Sequence, residues 1–231
     1  MKYWLRQLLR TPYPTIVGII VVAAVVFLVQ ELFSLPLAFE YGTVPIEFRH
    51  LWDEVLAGRA GVESFGVLIK LFTPLFLHGN GEHILLNMVF LWTFGTLCAG
   101  LLGRWWALGL FLFCGAVGNL VQISLNPNSP IPIIGASGAV CGFEGVYFGL
   151  ALRWRLDWPD VWPLAQPIPP LQLAAFALIG VALDIYGLTE GAQPIAYGAH
   201  LGGFFAGLVA AGLITLVYRS REEYWRSRSV S

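Results

Sequence analysis

Apolar residues in this chain gather into six long runs: Thr15–Leu35, Ile84–Leu102, Trp105–Leu125, Ile133–Leu152, Leu171–Leu188 and Ile195–Tyr218. About 20 consecutive apolar residues cross a hydrocarbon core, and each run approaches that length. The pattern predicts an all-α membrane protein of six spans in one bundle covering residues 1–231. The first run begins directly after Pro14, a favourable helix-start residue. The basic stretch before it is like a signal-peptide leader. The run is too long for a leader's apolar core and has no clear small-residue cleavage site, so it is read as a retained helix.

The breaks between runs carry their own information. Residues 36–83 form a long, mixed, aromatic loop, and P-I-E-F-R-H-L-W-D-E-V-L within it suggests an amphipathic helix at the interface. An ordinary extracellular loop is the alternative there. The break N-P-N-S-P-I-P-I-I-G is too rich in Pro and Asn to be helical before about Gly135. T-E-G-A-Q-P reads as a short turn.

Charge then sets the orientation. Ten basic residues (Lys2, Arg6, Arg10, Arg104, Arg153, Arg155, Arg219, Arg221, Arg226 and Arg228) fall on the side of the N-terminus, against Arg49, Arg59 and Lys70 on the other. The positive-inside rule places both termini in the cytoplasm. Composition agrees, with 57% hydrophobic and only 12% charged residues against about 25% charged in soluble domains. A formal net charge of −1 argues against nucleic acid as a partner. Cys98, Cys114 and Cys141 lie in apolar runs at no metal-like spacing, so they read as small buried hydrophobes. No metal or organic cofactor is implied.

Polar side chains at membrane depth are costly and mark function by default. With alternating helix direction, His83 and Asn87 open the second span, Ser137 opens the fourth and His200 lies in the first turns of the sixth. All four fall near the outer face. A fourth helix starting near Ser137 is shorter than the roughly 30 Å core, which sinks the serine to the floor of a water-accessible pit. A serine becomes nucleophilic when a base takes its proton, and His200 is that base if the fourth and sixth helices approach closely. Gly138 and Gly142 on one helix, and Gly203 and Gly207 on the other, are the small residues that permit such approach in lipid. The plainer reading is that these glycines only pack helices around a buried histidine. The first backbone amides at Ser137, with side-chain donors from His83 and Asn87, can hold an oxyanion.

Together L-F-T-P-L-F-L-H-G-N-G-E-H-I-L-L-N-M, G-A-S-G-A and A-H-L-G-G-F-F-A-G, in this order across residues 15–218, resemble the rhomboid intramembrane serine proteases. The resemblance implies a rhomboid-type six-helix bundle and a Ser137–His200 dyad without a third acid. It implies an oxyanion site drawing on the Ser137 backbone, His83 and Asn87, with His78 structural. It also implies transmembrane protein substrates entering past the fifth helix under a capping fifth loop. The expected location is a plasma or bacterial inner membrane, with the site opening to the extracytoplasmic side. The chain departs from the family at Ile69 and Lys70, where Trp-Arg is usual, and at Cys141, where many relatives carry Tyr.

Glu144 is expected as a protonated, hydrogen-bonded acid inside the bundle, and Asp184, near the outer end of the fifth helix, as a residue near the interface outside the catalytic set, with an influence on the gate or the base as the alternative. A non-catalytic relative that binds transmembrane helices is the alternative function, and keeping both Ser137 and His200 argues against it. A channel or transporter is disfavoured because no inverted repeat is present.

Overall fold

The computed structural model describes residues 13–157, 169–190 and 195–229. Lys2, Arg6 and Arg10, and the Gly191–Pro194 part of the fifth loop, lie outside the described residues. Helices make up the regular structure, and the one β-bridge among the described residues joins Thr43 to Ile133. Five helices are long and apolar enough to cross a membrane: α1 (Pro14–Phe33), α3 (Gly81–Leu102), α4 (Arg104–Leu125), α6 (Pro170–Glu190) and α7 (Tyr197–Val217). Among the shorter helices are α2 (Pro45–Leu56) and α5 (Ser137–Ala151), and α8 (Arg221–Ser229) follows α7.

Local chemistry explains the boundaries. Pro14 occupies the first turn of α1, where its missing N–H costs nothing. Asn80 caps α3 by accepting from the His83 amide at 2.8 Å, an Asx cap of the favoured type. A π turn at Leu91–Gly95 interrupts α3. Gly103, at φ +93°, then reverses the chain into α4. The proline-rich break stays non-helical until Ser137, so the fourth apolar run splits. Ile133 bridges to Thr43, and only 15 residues form α5. At 1.5 Å per residue that is about 22 Å, shorter than the hydrocarbon core. In the outer loop, P-I-E-F-R-H-L-W-D-E-V-L is the helix α2. Pro45 and Phe48 are buried on it, while Trp52, Val55 and Leu56 point outward.

α5 is the axis of the molecule. Its Ala139, Phe143, Val146, Tyr147 and Leu150 are all but inaccessible, the all-round burial of a core helix. α3, α4, α6 and α7 pack around it. Outward apolar side chains on the other helices, such as Val25 and Leu32 on α1 or Leu183 on α6, are exposed, as lipid-facing residues must be.

α5 and α7 meet without side chains between them. A Cβ built on Gly203 would fall 1.8 Å from the Gly138 carbonyl oxygen, and one on Gly207 would fall 1.9 Å from that of Gly142. Gly145 lies equally close to the Phe204 carbonyl. At the other end of the bundle, Trp154 Nε1 donates to the Tyr218 carbonyl at 3.0 Å and the Tyr224 hydroxyl to that of Leu102 at 2.6 Å. Arg221 pairs with Asp157 there.

Gly203→Leu should therefore cost about 3 kcal/mol or more, the upper range of overpacking penalties, because backbone rather than a flexible side chain opposes it. Gly109, with open space around it, is the control. Gly109→Ala should be neutral or stabilise by roughly 0.5–1 kcal/mol. Thermal unfolding in detergent micelles reads both, and an unchanged midpoint for Gly203→Leu would refute the close approach.

Candidate active site

The site is assembled by the loop that precedes α5 and by the first turns of three helices. Gly135 sits at φ +117°, a left-handed conformation open to glycine. Its amide donates to the Pro74 carbonyl at 2.9 Å. A Cβ here would lie 2.7 Å from His83 Nε2 and 3.7 Å from Ser137 Oγ. The missing side chain thus marks one small volume shared by the imidazole of α3 and the hydroxyl of α5.

The outer loop is fixed around that volume. Asn119 Nδ2 of α4 donates to the Leu71 carbonyl at 2.9 Å, and Gln30 Nε2 of α1 to the His78 carbonyl at 3.0 Å. The Thr43 hydroxyl donates to the Lys70 carbonyl. Lys70 pairs through Nζ with Glu47 of α2 at 2.8 Å, a point-charge contact without the planar fork of an arginine.

Ser137 opens α5. The first backbone bond there runs from the Val140 amide to the Ala136 carbonyl at 2.9 Å, which leaves the amides of Ser137 and Gly138 without a helical acceptor. No side chain caps this end. The next residue, Gly138, packs on Ala199: a Cβ on it would lie 3.1 Å from the Ala199 oxygen. His200 follows Ala199, so the two candidate residues flank one helix–helix contact. Ser137 and His200 are both half-buried, and their side chains do not hydrogen-bond to each other in this conformation. His83 lies close enough to His200 to interact with it electrostatically.

The candidate oxyanion residues have further commitments. His83 Nδ1 accepts from the Gly79 amide at 3.4 Å, leaving Nε2 on the Gly135 side. Asn87 is buried and donates to the His83 carbonyl at 2.8 Å, while its Oδ1 has no partner. One amide hydrogen of Asn87 is therefore already used along the helix.

Two acids differ from expectation. Asp184 of α6 turns inward: its Oδ1 lies 2.8 Å from His200 Nδ1, with both side chains more than four-fifths buried. A lone carboxylate inside an apolar helix was itself the signal. Its partner lies sixteen residues on, across a turn whose geometry spacing alone does not give. Glu144 is buried as expected, but among the described residues no hydrogen bond holds it. It faces Gly180 of α6 and interacts electrostatically with Asp184 and Cys141.

The expectation of no ligand cluster also changes. Cys141, Asp184 and His200 bring a sulfur, a carboxylate oxygen and a ring nitrogen within 4.8 Å of one another. These are donors of the kind zinc takes, although the acid–imidazole pair already satisfies two of them.

The Rhomboid domain family profile matches residues 66–217. Rhomboid-like protein 11, chloroplastic, of Arabidopsis thaliana is 32% identical over 159 residues, 66% of this chain and 54% of that protein. The putative rhomboid protease YdcA of Bacillus subtilis is 30% identical, over 61% of this chain and 64% of its own length. RHOMBOID-like protein 12, mitochondrial, of Arabidopsis thaliana is 29% identical over 90% of this chain and 60% of its own length. The chain thus spans between about half and two-thirds of these relatives.

His78, in the loop before α3, is fully buried, and its ring packs edge-on against His83 with centroids 5.1 Å apart. Burial, with repulsion from His83 second, pulls its pKa from 6.5 down to about 4. The unfolded chain then takes up the proton first, so stability is complete above about pH 6.5 and is lost as pH falls toward 4. The loss should reach about 3 kcal/mol. Unfolding midpoints measured between pH 7 and 4 should fall less steeply in His78→Gln, and parallel curves would refute the assignment.

Proposed function

Because the chain belongs to the rhomboid family, we propose that this multi-pass membrane protein is an intramembrane serine endopeptidase, with Ser137 as nucleophile and His200 as base. What supports the reading most is the Gly138–Ala199 contact. It sets the serine and histidine side by side on two backbones in touch, beside amides left unpaired at the start of a helix.

The chemistry follows from these groups. His200 takes the Ser137 proton as Oγ attacks the scissile carbonyl carbon, and the carbonyl oxygen gains the negative charge. The amides at the start of α5, the positive end of that helix and the side chains of His83 and Asn87 receive that charge. The imidazolium gives its proton to the departing amine, leaving an acyl ester on Ser137. Water, deprotonated by the same imidazole, attacks the ester. Its proton returns to Oγ, which frees the acid product and the serine. The short α5 keeps the serine below the membrane surface yet open to water.

Substrates on this reading are transmembrane proteins cleaved near a small residue in a helix-unstable stretch, reached from the bilayer past α6. The arginines at the far end of the bundle, with Arg221 paired to Asp157, support cytoplasmic termini and a site opening to the extracytoplasmic side. We place it in a plasma or bacterial inner membrane.

Wild-type protein in micelles should react with a fluorophosphonate probe, whereas Ser137→Ala should not. Equal labelling of the two ends the protease reading and leaves a helix-binding relative. Cleavage of a reporter membrane substrate should vanish in Ser137→Ala and His200→Ala. In Asn87→Ala it should fall by about 10²-fold or less, because other donors remain. An undiminished rate would remove Asn87 from the site.

A further inference from the structure

We propose that Asp184 is a positioning residue for His200, so that the chain works with a serine, a histidine and an acid contributed by three different helices. The inference rests on the Ser137–His200 reading and extends it to α6. Its basis is the 2.8 Å contact between Asp184 Oδ1 and His200 Nδ1, with both side chains more than four-fifths buried.

An ionised carboxylate only accepts hydrogen bonds. Against it, neutral imidazole places its single proton on Nδ1 and turns its lone pair to Nε2, the nitrogen left for Ser137. Without the acid, either tautomer and several ring orientations compete. Little else fixes the ring. Cys141, four residues past Ser137, offers a small sulfur rather than a flat surface. Tyr197 meets the imidazole only edge-on, with centroids 6.4 Å apart. The other titratable groups near the ring are His83 of α3, which can supply no acceptor as strong, and Glu144 of α5, which sits behind Asp184.

The need is mutual. Asp184 is flanked on α6 by exposed Leu183, Ile185 and Tyr186. A carboxylate among such neighbours requires a partner facing inward, and His200 is the partner that the fold supplies.

Two measurements on the full chain in micelles test the assignment. In the first, reporter cleavage by Asp184→Asn and Asp184→Ala should lose between about 10-fold and 10⁴-fold in kcat, the upper figure being that for the acid of a Ser–His–Asp triad. KM should stay within about twofold, and Asp184→Glu should recover part of the loss. In the second, nitrogen-15 histidine spectra are recorded in a Ser137→Ala background, at a pH where the ring is neutral. The chain has four histidines, and His200→Gln identifies the signal. Nδ1–H should dominate with Asp184 present and shift toward Nε2–H in Asp184→Asn. An unchanged tautomer, or a kcat loss that tracks unfolding and is not recovered by Asp184→Glu, would overturn the proposal. The spectra need no activity, so a chain that cleaves nothing would defeat the protease reading while the tautomer still decides this one.

Discussion

The site depends on two helix backbones touching. Between α5 and α7 the spacing leaves no volume for a methyl group at Gly203 or Gly207. Lipid provides little hydrophobic drive for helices to associate, so close packing must hold them. Small residues maximise dispersion contact by removing what would stand between the helices. The same lack of side chains brings the Gly138 and Ala199 backbones into contact. Ser137 precedes Gly138 and His200 follows Ala199, so a packing device and a chemical one occupy the same few residues.

A second constraint comes from outside the bundle. The start of α5 is held by the Pro74 carbonyl through Gly135, by the Thr43–Ile133 bridge, and by Asn119 reaching from α4 to Leu71. Two are backbone contacts between loop residues and the third is a side-chain amide of α4 on a loop carbonyl, each satisfying a polar group that lipid would leave bare. Their effect is to end the non-helical segment at a fixed place and to leave the first amides of α5 unpaired and aimed. On the proposed reading these amides receive the developing charge, and preorganised donors cost no reorganisation when that happens. Lys70 takes part through Glu47 even though it lacks arginine's fork.

Five long apolar helices, the amphipathic segment that becomes α2, the short α5 and the nearness of His83 to Ser137 were legible in the sequence. They follow from local periodicity, from proline placement and from counting helix directions. The glycine spacing pointed to the α5–α7 contact for the same reason, since a repeat of four residues is a face. What the sequence left out depends on rotation about a helix axis and on loop paths. Asp184 could be placed near the outer end of its helix but not turned toward His200. Glu144 could be placed on the Ser137 face, yet the facing element proved to be Gly180 of α6, without a hydrogen-bonding group. Cys141, Asp184 and His200 have no telling spacing, because three helices bring them together.

Much of α6 faces outward. Leu173, Ala174, Ala177 and Gly187 are its buried residues, and long side chains such as Phe176, Ile179 and Leu183 point outward. Small residues bury little apolar area, so packing holds this helix less firmly than α5 or α7. Between Ala177 and Gly187 its inward contacts are polar: Gly180 beside Glu144, and Asp184 on His200. Elements with few buried apolar contacts open at lower free energy than the core. Any outward movement of α6 carries the carboxylate away from the imidazole. Seating of α6 and orientation of the His200 ring are therefore one event, which on the proposed reading ties the base to the packing of that helix.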